Sequence, residues 1–391
     1  MLTKVDTSTT IRAAMERRLN ISAIESAMES KGLSAADLAR ALDVSRQIIS
    51  QWLKGRSVPR PDKRLKLALT LELGVKDMLL PEGPETTPVI AFRKKRSAKT
   101  TTEHIERAIT IGRQLRPLVP HLPFDQVRGP RTLKGEIPIA DYDYLQNVAR
   151  EIRKAANLGE TETIDFHHLI RLFADQQAAL VPVLWGTKKN HENALHIHLP
   201  DSQTTWVFLN LDVEIHDFKF WMTHELAHVW APSLRGDDAE EFADAVAACV
   251  LFPEPLAAEA YPAIRSAAND GARINTIKAI AEDQLISPIT VYMEANRYAR
   301  RYGEPALTLE PAIYGAAQNL TNRYYTVSGH LFDGDTPTPE HYIQIAEELF
   351  DSPFFRALKE YLKAEEKGPG YVQSILQIPL LDARALHAAL T

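Results

Sequence analysis

A single cysteine, Cys249, stands in the 391-residue chain. No internal disulfide can form, and a thiol-rich zinc ribbon is excluded. No run of about 18 apolar residues occurs, so no transmembrane helix is expected. The first stretch, MLTKVDTSTTIRAAMERRLN, lacks the apolar core of a secretory signal. Positive charge is also short. The formal net charge of -6 argues against a protein that coats nucleic acid along its whole length, although a local basic patch stays compatible with it. Internal repeats and low-complexity tracts are missing too. These absences lead us to expect a cytoplasmic protein with no membrane partner. A chain of this length with 45% hydrophobic and 25% charged residues is globular and long enough for two or three domains.

The pattern along the chain divides it into five stretches: a lead (1–20), a run of short helices (21–80), a linker (81–102), a larger helical domain with a small sheet (103–303) and a helical carboxy-terminal region (304–391). In 21–80, Ile21, Ile24 and Met28 form an apolar stripe ending at Gly32. Ser34 caps a second helix with Leu38, Ala39 and Leu42 on one face, and Ser45 caps a third, RQIISQWLKG. PEGPETTPVIAFRKKRSAKTTT is rich in proline, threonine and basic residues without helical period, which reads as linker. The runs 179–185, 194–200 and 204–211 read as three short strands of an antiparallel sheet. The expected fold is mostly α with that small sheet, α+β in class.

The segment HELAHVW, 224–230, carries chemistry. Four residues apart on a helix, His224 and His228 share a face, and both imidazoles can reach one ion at about 2.0–2.1 Å. Glu225 stands beside that face, where it can act as general base without being a ligand. The bland alternative is a helix with two hydrogen-bonded histidines. A catalytic zinc site has three protein ligands and an open position. Downstream, in DDAEEFADAVAACVLFPEP, Glu240 is the expected third ligand and Asp244 an acceptor for the second N–H of a ligand histidine. Asp238 is expected to cap this helix in a box with Glu241, which makes Glu241 the less available competitor for the metal. Tyr292, Tyr298 and His330 are candidate transition-state donors. His196 and His198 read as a polar strand face, adjacent His167 and His168 as unable to share an ion readily, and Cys249 as a small core residue.

HELAH, the E-x-x-A-D of 240–244 and AACVLFP of 247–253 together resemble the ImmA/IrrE family of metallopeptidases over roughly 140–300. Glu240, Ala243, Asp244, Ala247, Ala248 and Pro253 fall in the family's register. The resemblance implies a zincin-like peptidase fold, a zinc cofactor and a transcriptional repressor as protein substrate, either a separate one or this chain's own amino-terminal module.

GLSAADLARALDVSRQIISQWLKGRSVP resembles the Xre/Cro-type helix-turn-helix. Residues 21–80 hold ten Lys and Arg against seven Asp and Glu, so positive charge concentrates there while the chain as a whole is acidic. In that resemblance Ser45, Arg46 and Gln47 meet base edges of double-stranded DNA, Ser50 and Gln51 lie near bases or phosphates, and Lys54 and Arg56 contact the backbone, with a homodimer on a two-fold site. The leading expectation is a DNA-binding regulator with a zinc-dependent endopeptidase domain. Two alternatives stand beside it: a non-enzymatic transcription factor whose peptidase-like domain senses a ligand, and an antitoxin-like scaffold docking a partner through 304–391.

Overall fold

The computed structural model describes residues 19–54, 59, 61–74, 78, 87–93, 102–124, 131–185, 194–321 and 324–391. Two compact units are present. One holds the residues up to Pro88 together with Arg113–Pro120 and Leu199–Ser202, and the other holds the remainder.

In the first unit, α1 (Ile21–Ser30), α2 (Ala35–Leu42), α3 (Arg46–Leu53) and α4 (Pro61–Leu71) enclose a core of Ile24, Leu38, Leu42, Ile49, Trp52, Leu67 and Leu71. Local chemistry sets the ends of these helices. Asn20 caps α1 by accepting from the Ala23 N–H. At its other end Gly32 takes φ +61°, which lets Leu33 N–H reach the Met28 carbonyl and close the helix. Ser34 and Asp37 form a reciprocal capping box on α2, and Ser45 caps α3. The lead contributes Leu19 to this core, whereas 1–18 lie outside the described residues.

The second unit is built on a four-stranded sheet in the order β1 (Val89–Arg93), β3 (Ala194–Leu199), β4 (Thr204–Asn210), β2 (Ala178–Val183). The sheet is mixed rather than antiparallel throughout. β1 runs antiparallel to β3, while β2 and β4 run parallel, Ala178 opposite Thr205. The crossing arises because β3 lies outside β4, so β4 re-enters beside β2. Every residue of β2, β3 and β4 is buried, which suits strands covered on both faces.

The stretch expected to be linker therefore contributes a strand, because Val-Ile-Ala-Phe satisfies its backbone on the edge of β3. Residues 304–391 likewise belong to this unit. The Trp185 indole donates to the Leu376 carbonyl at 2.8 Å, the Tyr342 hydroxyl to Pro182 and the Ser352 hydroxyl to Leu180.

The helices that follow in the chain are α5 (Thr102–Leu115), α6 (Tyr142–Ala155), α7 (Phe166–Asp175), α8 (Ile215–Trp230), α9 (Gly236–Leu251), α10 (Glu254–Ser266), α11 (Asp270–Gln284) and α12 (Pro288–Tyr302), of which α7 packs on β2 and α8 on β4. The sequence breaks α8 where Ala231 precedes Pro232, since a residue before proline is pushed out of the helical region. No helix among the described residues is long and apolar enough to cross a membrane.

Leu42 is fully enclosed in the first unit. Leu42→Ala is expected to cost that unit about 2–5 kcal/mol. Amide hydrogen exchange should show faster opening across α1–α4 and unchanged protection of α8 and α9.

Candidate metal centre and nucleic-acid surface

Helix α8 is buried nearly all round, with Met222, Leu226 and Ala227 fully enclosed. Its amino-terminal half is fastened by a buried cation: Lys219 Nζ donates to the Gln284 carbonyl at 2.7 Å, at the last turn of α11. Burial brings the Lys219 pKa down to about 8. Helix α9 packs directly on α8. Ala243 and Ala247, both fully buried one turn apart, remove the bulk that would hold the two helices apart.

Two imidazoles and one carboxylate converge across this contact. His224 Nε2 lies 3.1 Å from His228 Nε2. Glu240 places one oxygen 3.5 Å from His224 Nε2 and the other 3.4 Å from His228 Nε2. Ligand atoms at about 2.0–2.1 Å from one tetrahedral ion stand roughly 3.3 Å apart, so this spacing fits a zinc-type ion. The orientation fits as well. His224 Nδ1 donates to Asp244 Oδ1 at 2.9 Å, which turns Nε2 and its lone pair toward the centre. The Arg297 guanidinium, paired to Glu294 at 2.7 Å, stands close enough to Asp244 to feel its charge.

Charge follows the same geometry. Burial opposes a proton on His224, but its hydrogen bonds to Asp244 and Glu240 outweigh burial and hold its pKa up at about 9. Burial draws His228 down. Burial also works against the Glu240 anion, yet its hydrogen bonds with His224 and His228 keep it well below the usual carboxylate range. A proton on His224 thus occupies the place a cation would take.

Glu225 is buried beside the three ligand atoms and is not one of them. His196, on β3, brings its Nδ1 to 3.5 Å from a Glu225 oxygen, and its ring centroid lies 5.5 Å from that of His228. Burial lowers the His196 pKa to about 3, so it is a neutral imidazole. Read as a polar strand face, His196 turns out to flank the centre. Its alternation with His198 was visible, but which face of β3 meets α8 was not. His198 on the same strand bonds Thr205 at 3.0 Å.

The expected capping box at Asp238 and Glu241 does not form. Helix α9 begins three residues earlier, with Arg235 at the cap position and no side-chain capping bond, so Asp238 sits in the first turn and Glu241 is exposed. None of the three candidate donors stands at the centre. The Tyr292 hydroxyl donates to Leu307, Tyr298 packs between Tyr261 and Tyr302, and His330 is exposed. Cys249 is buried as expected, but it touches the Glu294 carboxyl at 3.8 Å and receives the Gln146 amide at 3.4 Å.

Among the described residues, one other group could hold a metal: Asp165, His167 and His168. Adjacent histidines do converge here, at 2.6 and 2.7 Å from Asp165 Oδ1, because both rings turn back toward the cap of α7. His168 Nδ1 already accepts the Asp165 N–H at 3.3 Å, and His167 is mostly exposed, so this group is the weaker chelate.

On the first unit, Ser45, Arg46, Gln47, Gln51 and Lys54 are exposed along the outer side of α3, Ser50 is half-buried, and Ile49 and Trp52 face the core. Ser45 precedes the helix, and its hydroxyl accepts the Ile48 N–H at 3.3 Å, so capping is its first role. Arg56 lies outside the described residues.

Compared with known families, residues 24–76 match a helix-turn-helix family model. The amino-terminal module is therefore a helix-turn-helix, the class that lays its second motif helix in the DNA major groove. No curated protein and no solved structure matches the chain.

Metal binding should release the His224 proton. Below pH 9, affinity is expected to fall by up to about tenfold per pH unit as the proton competes. Asp244→Asn should weaken binding a further ~10–100-fold. Titration against a chromophoric zinc chelator at several pH values reads both effects.

Proposed function

We propose that this protein is a DNA-binding transcription regulator carrying a zinc-dependent endopeptidase. The observation that carries the second half is the convergence of His224, His228 and Glu240 with Glu225 beside them and Asp244 behind them. Two imidazoles and one carboxylate leave a coordination position open, which is the donor set of a catalytic rather than a structural site. Bound there, a zinc-type ion supplies Lewis acidity, acidifying water and polarising a carbonyl.

The chain's own residues do the rest. Asp244 holds His224 in the tautomer that presents Nε2 inward. Glu225, buried and next to neutral His196, takes a proton from the attacking water and returns it to the leaving amine. Exclusion of solvent around α8 strengthens these charges. Peptide hydrolysis, with an extended polypeptide as substrate, is the reaction such a set performs.

The resemblance to ImmA/IrrE peptidases points to a repressor-type substrate, and the helix-turn-helix within the same chain makes the protein's own amino-terminal module one candidate. Double-stranded DNA is the partner of that module, bound as a homodimer through Arg46, Gln47, Gln51 and Lys54 on the exposed side of α3.

Glu225→Gln separates catalysis from metal binding. The variant is expected to keep one equivalent of zinc and unchanged duplex-DNA affinity, while peptide-bond cleavage in zinc-loaded protein falls at least ~100-fold. Incubation of wild type and variant, with fragments read by mass spectrometry, checks this. Equal cleavage by both, or none by zinc-loaded wild type against itself and helix-turn-helix repressors, removes the enzymatic half.

A further inference from the structure

We propose that Val89–Arg93, lying on the outer edge of β3, is an intramolecular substrate analogue that keeps the peptidase site closed to peptides in trans. The inference rests on the peptidase reading and names how that site is regulated.

His196 identifies the strand. Its imidazole meets Glu225 at 3.5 Å, so β3 borders the catalytic centre. On one side β3 is paired to β4, and its other side is the only edge through which another backbone can reach this strand. A peptide awaiting hydrolysis must be held straight with one carbonyl beside the base. Pairing with a strand edge does this through main-chain hydrogen bonds and tolerates many side chains.

β1 takes that edge. It runs antiparallel, with Val89 opposite His198, Ala91 opposite His196 and Arg93 opposite Ala194. Partners across an antiparallel pair are about 4.5–5.5 Å apart at Cα. The backbone at Ala91 is therefore the stretch nearest the strand residue that touches Glu225. A second peptide can pair with β3 only if β1 leaves.

The consequence is regulation by occupancy. With β1 in place, the metal unit excludes peptides in trans. When β1 is displaced, a strand of similar character enters. The segment that does this follows the helix-turn-helix module in the chain.

The test uses full-length, zinc-loaded protein carrying Glu225→Gln, so that bound peptide is not cut. The probe is a fluorescein-labelled peptide with the sequence of residues 87–95, TPVIAFRKK. Adding Ile90→Pro locks φ at about −65°, away from the roughly −140° of an antiparallel strand, and should release β1. Peptide affinity is then expected to rise at least tenfold, with zinc content unchanged. Equal affinity with and without Ile90→Pro, in protein that retains its zinc, overturns the proposal.

A second variant keeps the strand in place. Ile90→Cys with Ile197→Cys joins two directly paired residues, whose separation lies within disulfide range. Peptide capture is expected only after reduction, and equal capture before and after overturns the proposal. Capture by the Ile90→Pro protein with no cutting when Glu225 is restored leaves the strand site standing and removes the peptidase reading alone.

Discussion

The close contact between α8 and α9 is the constraint on which the centre depends. Ala243 and Ala247 let the helices approach until Glu240, one turn away on the same face, meets the imidazoles of His224 and His228. A larger residue at either alanine would separate the carboxylate from its partners, since a packed interior yields little to added volume. The same contact brings Asp244 onto His224 Nδ1. One packing event thus positions three ligand atoms and sets the tautomer of one of them.

Polar groups in this interior are costly unless paired, and the pairing shows where function resides. Lys219, His224, Glu225, His196 and Glu294 are all enclosed. Lys219 is spent on the Gln284 carbonyl and Glu294 on Arg297, which explains them as fasteners. His224, His228 and Glu240 instead satisfy one another around a point, an arrangement that exchanges readily for a shared cation. His196 and Glu225 face each other at that wall, at 3.5 Å, a contact that leaves room for a proton-bearing group between them.

The sheet ties the two ideas together. β2 and β4 are parallel and fully buried. β3 carries His196 to the centre, and β1 closes its edge. The carboxy-terminal helices cover β2, at the opposite end of the strand order, so the two borders of the sheet are closed by segments far apart in the chain.

Much was legible along the chain. The spacing of His224 and His228 is a property of the helix itself, Ser34 and Ser45 cap by local hydrogen bonds, and the core of α1–α4 follows from apolar period. Glu240 and Asp244 could be singled out because they sit four apart on the next helix, on one face with small residues. The capping box at Asp238 failed because α9 starts three residues earlier, at Gly236, which puts Asp238 inside the first turn instead of at the cap. Strand order, the parallel pairing of β2 with β4, the place of Val89–Arg93 on β3 and the meeting of His196 with Glu225 needed the folded chain. Local sequence determines which residues share a helix or strand face. Which faces meet is decided by burial summed over segments far apart, and only tertiary structure performs that sum.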